Sequence, residues 1–244
     1  MKWLSIGDRV RPGMYAVNAR FSRSVLLFDG SGRALFVVDR SIGAGPLNLV
    51  VADPHALVSG ESLAIPRRVP APRFDSSMPR PGRAGRERLL RILASSLPRH
   101  APPESLVSLF APAEKLPRLR QARNAVFQKA LAGFAAGRLA TATRKIRGCG
   151  EGLTPSGDDF LCGWMLACRL RHEPAAARKI LRHARGKNLV SNAFLELSAQ
   201  GRVNIAVQRL LRSPSDARVK AVCAFGHSSG ADLLCGLYWG FRFS

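Results

Sequence analysis

The residues best suited to chemistry fall in two glycine-rich stretches. The first, Gly148-Cys149-Gly150-Glu151-Gly152-Leu153-Thr154-Pro155-Ser156-Gly157-Asp158-Asp159, has four glycines in ten residues and runs into the apolar stretch Phe160 to Leu170. Glycine accepts positive φ and close approach of other groups but costs chain entropy to order, so such a loop usually holds something. Pro155 suits a turn or a first helical position, and Ser156 with Asp159 three residues on reads as a Ser-x-x-Asp cap before an apolar helix. The chemistry on offer is anion binding, by backbone N–H groups and the positive end of a helix dipole. No Gly-Lys-Ser/Thr follows, so this is not a Walker A loop, and the G-x-G-x-G spacing is not the dinucleotide fingerprint. A buried loop whose Asp158 and Asp159 merely complement the dipole is the alternative.

The second stretch, Gly226-His227-Ser228-Ser229-Gly230, matches the G-x-S-x-G elbow of serine hydrolases. That chemistry needs an acid and then a histidine further on, and after His227 the chain supplies Asp232 but no histidine. A different relation explains it better. Ser156-Gly157-Asp158-Asp159-Phe160-Leu161-Cys162-Gly163 and Ser229-Gly230-Ala231-Asp232-Leu233-Leu234-Cys235-Gly236 share Ser, Gly, Asp, Leu, Cys and Gly in register. One helix start is used twice, each copy with an aspartate in its first turn and a glycine one turn later.

Two readings follow and are compatible: the helices cross tightly at Gly163 and Gly236, or both N-termini face one pocket. The candidate site is then Gly150, Gly152, Thr154, Ser156, Gly157, Asp158, Asp159, His227, Ser228, Ser229, Gly230 and Asp232, with Asp158 and His227 as catalytic candidates. Three aspartates would repel an anion. A divalent cation such as Mg²⁺ bridging carboxylate and ligand, a positive offset from His227 or an arginine, or aspartates turned away as caps would each relieve this. Asp159 and Asp232 are assigned as caps and Asp158 as ligand-facing or metal-facing, because Ala231 stands at its place in the second copy.

The elements around these stretches are legible in outline. At 244 residues and 46% hydrophobic, the chain can bury a full core. Its net charge of +22 invites a nucleic-acid partner, but the excess is mostly arginine in an Ala/Pro/Gly-rich chain, and aromatics are only 7% and do not interleave with the basic clusters. An anionic small molecule fits as well, and nucleic acid is not favoured. The five cysteines form no C-x-x-C pair, which favours free thiols. Without a long apolar run or a visible leader, the chain reads as cytoplasmic and not membrane-bound.

Residues 1–65 read as strands, with apolar runs at Val25 to Phe28, Ala34 to Val38 and Leu47 to Val51 and a hairpin through Asp29-Gly30. Residues 66–86, rich in proline and arginine, read as a connector. Residues 87–244 read as helical: Glu87 to Leu97, Ser105 to Phe110, Leu116 to Gly137 with a Val126, Leu131, Phe134 stripe, Leu139 to Lys145, Phe160 to Arg171, Ala175 to Arg185, Ser191 to Gln200, Val203 to Leu211, Ala217 to Phe225, and a last helix through Phe241. Strands first and helices after predict an α+β fold, a small N-terminal β-barrel or open sheet followed by a mainly α-helical region.

The motifs resemble a bacterial family that includes the AllH subunit of oxamate carbamoyltransferase, from anaerobic allantoin catabolism. The resemblance rests on Gly150-x-Gly152-Leu153-Thr154-Pro155-Ser156-Gly157-Asp158-Asp159-Phe160-Leu161 and Gly226-His227-Ser228-Ser229-Gly230-x-Asp232-x-Leu234-x-Gly236, with Ser191, Leu195 and the Gly45-Pro46 turn in support. It implies a subunit of a complex converting oxalurate and phosphate to oxamate and carbamoyl phosphate, with other protein subunits as partners. A non-catalytic scaffold subunit and a stand-alone phosphate or nucleotide enzyme are the alternatives.

Overall fold

A computed structural model describes residues 2–111 and 116–243. Met1, residues 112–115 and Ser244, which the expected domain ranges include, lie outside the described residues. The fold is α+β: strands fill the first part of the chain and helices the rest.

The chain divides into two compact units. One runs to Met78 and takes in Arg202–Gln208; the other spans Pro79–Gly201 and resumes at Arg209. In the first unit β1 (Trp3–Gly7), β2 (Gly13–Phe21), β3 (Ser24–Asp29), β4 (Ala34–Val38), β5 (Asn48–Val51), β6 (Ser62–Ile65) and β7 (Arg73–Phe74) form one open sheet, ordered β6-β2-β3-β4-β5-β1-β7. The expected hairpin is β3–β4, pairing Val25 with Val37 and Leu27 with Leu35. Its turn is fixed by Asp29, whose Oδ1 accepts from the N–H groups of Ser31 and Arg33, both at 2.9 Å. Alternate residues Val25, Leu27, Leu35, Val37, Leu49 and Val51 share a core with Ile6, Tyr15 and Ile65, as the two-residue strand period requires.

Sequence reasoning missed the short helix α1 (Pro54–Leu57), capped by Asp53, and β7 within the proline-rich stretch. Ser76 in that stretch is wholly buried; its hydroxyl donates to Asp8 Oδ1 at 2.6 Å, and its carbonyl accepts from Val203 N–H at 2.9 Å.

The second unit holds α2 (Arg83–His100), a 3₁₀ turn (Leu106–Phe110), α3 (Arg118–Ala135), α4 (Leu139–Ile146), α5 (Ser156–Leu170), α6 (Pro174–Ala184), α7 (Leu189–Ala199), the second half of α8 (Ile205–Arg212), α9 (Asp216–Cys223) and α10 (Ser229–Arg242). Its centre is α5, buried at nearly every position, with α10 laid along it. The stripe on α3 is Phe127, Leu131 and Phe134; Val126, expected in it, is 37% exposed. Phe134 stacks on Trp164 with ring centroids 4.2 Å apart, and Phe127 meets Phe160 edge-on at 5.6 Å. All five cysteines are free, and burial raises the thiol pKa of Cys168 and of Cys223 to about 11. No helix among the described residues is long and apolar enough to cross a membrane.

Candidate functional site

The shared octapeptide is the sequence trace of a larger repeat, α4–loop–α5 and α9–loop–α10. After α4, Cys149 N–H donates to Ile146 O at 3.1 Å and Gly157 N–H to Cys149 O at 2.8 Å; after α9, Phe225 N–H donates to Val222 O and Gly230 N–H to Phe225 O, both at 3.0 Å. Gly157 lies so close to Ile146 O, and Gly230 to Val222 O, that a Cβ on either would overlap the carbonyl. The second loop is the shorter. Gly148, Gly150, Gly152 and Gly226 all have positive φ, between 66° and 119°, which is why glycine stands there.

The two halves meet at a helix crossing. Gly163 faces Leu233 O and Gly236 faces Phe160 O at distances no side chain could share, and a Cβ on Gly240 would stand 2.7 Å from Ala167 Cβ. This approach brings the N-termini of α5 and α10 side by side: Thr154 Oγ1 lies 2.8 Å from Ser229 Oγ. The contacts cross between copies, since the Ser229 hydroxyl acts on Asp159 and the Ser156 hydroxyl on Asp232.

The expected caps are absent. Pro155, not Ser156, is the N-cap of α5, and neither α5 nor α10 has a side-chain cap bond. Asp232 is fully buried and looks outward from its helix: Oδ1 accepts from Leu106 N–H at 2.6 Å and Oδ2 from Ser228 Oγ–H at 2.9 Å. Asp159 is 7% exposed and its Oδ2 has no hydrogen-bond partner among the described residues. Asp158, assigned to face a ligand or metal, instead uses Oδ1 to accept the Gly148 N–H at 2.7 Å and so ties the loop to α5.

Burial raises the pKa of all three carboxyls, most for Asp159, whose charge Asp232 and Asp158 also oppose. The Gly148 N–H and the Ser191 hydroxyl partly offset this at Asp158, and Leu106 N–H, the serine hydroxyls and Arg123 at Asp232. His227 stands apart, its ring 83% exposed and its Nε2 2.9 Å from Glu104 Oε1. Among the described residues no group of three or more His, Cys, Asp or Glu side chains is placed to hold a metal ion.

The first-turn N–H groups are largely occupied: Asp158 and Asp159 donate to Pro155 O and Asp232 to Ser228 O. The N–H groups of residues 150–154, in contrast, have no acceptor among the described residues. Half-buried hydroxyls of Thr154, Ser156, Ser228 and Ser229 border this loop and the helix ends.

Two supports were missed from sequence. Asn188 caps α7 with Oδ1 on Ser191 N–H at 3.0 Å and donates Nδ2 to Leu153 O at 2.9 Å, fastening the loop from outside. An Asn ahead of the apolar Leu189-Val190 is a cap signal that could have found it. Arg123 on α3 donates to Glu104 O at 2.6 Å and Ser105 O at 2.8 Å, holding the 3₁₀ turn whose Leu106 N–H reaches Asp232; nothing local in sequence marks it.

No solved structure matches the chain. The model of the family described as oxamate carbamoyltransferase subunit AllH matches residues 146–241, from the last residue of α4 to the last turn of α10. Both glycine loops and the crossing of helices α5 and α10 thus lie within the stretch, residues 146–241, that matches the AllH family its glycine motifs resemble.

Proposed function

We propose that this chain is a subunit of an oxamate carbamoyltransferase-like assembly and binds an anionic substrate or product of that reaction on the loop 150–154. The observation that carries this reading is the run of N–H groups at residues 150–154 that have no acceptor among the described residues, beside the Thr154, Ser156 and Ser229 hydroxyls. Donors left free in an ordered loop are a ready anion cradle. The site centres on the loop, since most first-turn donors of the two helix ends are occupied, those of Gly157, Asp158, Asp159, Gly230 and Asp232 among them. Phosphate, carbamoyl phosphate and oxalurate all present oxyanions that such a cradle accepts, and the other protein subunits of the assembly would complete the chemistry.

Calorimetry of the purified chain with each of the three anions tests this. Saturable binding of at least one, weakened about tenfold in a Thr154→Val, Ser229→Ala double variant, is expected, the loss of a hydrogen bond to a charged group.

A scaffold role without ligand is the second reading. It is favoured by the glycines at 157, 163, 230 and 236, each of which lies closest to a backbone carbonyl oxygen of a neighbouring element. Absence of anion binding, with intact assembly of the partner subunits on the chain, would select it.

A further inference from the structure

Asp159 and Asp232 hold the same place in the two halves of the repeat, yet their surroundings differ. Both oxygens of Asp232 receive donors, the Leu106 N–H and the Ser228 O–H, and Arg123 acts on it from α3. Asp159 has no such set. Its Oδ2 is buried with no hydrogen-bond partner among the described residues, and the groups it faces are the Ser229 and Thr154 hydroxyls, which donate or accept as required. An ionised carboxylate with a bare buried oxygen is costly, whereas a neutral acid tolerates it. Two equivalent acids in unequal environments divide into a charged and a neutral member.

We propose that Asp159 is the neutral, donating member of this pair and sets the direction of the Thr154–Ser229 hydroxyl pair, so that an O–H is presented outward to an oxyanion. With a proton on Asp159, its O–H donates to one hydroxyl, that hydroxyl donates to the next, and the last hydrogen is free for the ligand. With Asp159 ionised, the carboxylate takes the hydroxyl hydrogens inward and the outward face offers lone pairs, which repel an anion. Asp159 is thus a positioning residue that acts through hydroxyls.

The groups that face it are Asp158 and Cys162 from its own helix and Asp232 from α10. From α7 come the uncharged Ser191, beside Asp158, and Ser198, beside Cys162; Arg147, after α4, acts on Asp158. Burial, the largest influence on Asp159, favours its neutral form.

The inference rests on the anion-binding reading for its ligand, and two readouts separate them. Carboxyl ¹³C NMR of aspartate-labelled protein, assigned with Asp159→Asn, reads the proton directly. A neutral-acid shift for Asp159 at neutral pH, with Asp232 ionised, is expected; an ionised Asp159 overturns the inference whether or not an anion binds. Sulfate, whose charge is constant from mildly acidic to alkaline pH, reads the consequence. Its affinity for the wild-type chain should fall about tenfold as Asp159 ionises, the loss of one charge-assisted hydrogen bond. Asp159→Asn, which keeps a donor at every pH, should hold the low-pH affinity throughout. The same pH profile in both proteins overturns the inference. Failure of sulfate to bind wild type at any pH, with a neutral Asp159, removes the anion site and with it the outward donor role.

Discussion

Gly163 on α5 packs against the carbonyl oxygen of Leu233, and Gly236 on α10 packs against the carbonyl oxygen of Phe160, so each glycine meets the residue that stands three places before the other. The contact is reciprocal because the two helices are copies of one motif. Gly163→Ala would drive a methyl into a backbone oxygen that no rotamer change can move. We expect Gly163→Ala to cost about 1–3 kcal/mol or more, as overpacking does, and to part Thr154 from Ser229. Urea unfolding measures the first. Loss of less than about 0.5 kcal/mol, the range of neutral surface changes, would show that the crossing is slack.

The contribution of the three buried aspartates of α5 and α10 to stability should fall as pH rises, whereas Asp29, Asp39 and Asp216, whose pKa the fold lowers, act the other way. The fold raises the pKa of Asp158, Asp159 and Asp232 above the ordinary 3.8, so the folded chain holds these protons more tightly than the unfolded one. Their contribution is full below the unfolded value and is lost as pH passes upward through the folded values. Asp159→Asn should flatten this decline and be at least as stable as wild type at alkaline pH. Thermal melts over a pH series check it; an equal slope in both proteins would assign the effect to other groups.

Asp158→Ala removes the acceptor of the Gly148 N–H. The sequence assigned Asp158 to a ligand or metal, but its place as a loop strut predicts a stability loss of about 0.5–1.5 kcal/mol, the net worth of one hydrogen bond to an N–H that water can reach once freed. Amide exchange at Gly148 should quicken in the variant. Unchanged exchange there would place the tie elsewhere.

His172 follows α5 with φ of 65°, a conformation that costs an L residue. His172→Gly should stabilise the chain by about 0.5–1 kcal/mol, the relief of strain less glycine's own entropy. A lower melting temperature would mean that the exposed imidazole holds something in place.

The sequence made the two helix starts visible because a repeated octapeptide is local information. The strand runs of β3 to β5 and the helical periodicity were legible for the same reason. The partners of the aspartates were not. Ser-x-x-Asp looks like a cap when only neighbours are known, yet Asp232 reaches Leu106, which is distant in the chain, and Asp159 faces Ser229 in the other copy. The stripe on α3 was misjudged by one residue: Val126 stands five places before Leu131, whereas Phe127, four places before it, is the residue that meets Phe160 of α5. His227, a catalytic candidate through its place in the second glycine stretch, stands exposed beside Glu104, a partner distant in the chain.

On the proposed function, the donors of residues 150–154 hold an oxyanion. A ¹H–¹⁵N NMR titration of the labelled chain with oxalurate, and separately with phosphate, reads those N–H groups one by one. Saturable downfield shifts are expected at Gly150, Glu151, Gly152, Leu153 and Thr154, with little change on the arginine-bearing faces of α2 and α6. Shifts confined to those faces, or none at any residue of the loop, would contradict it.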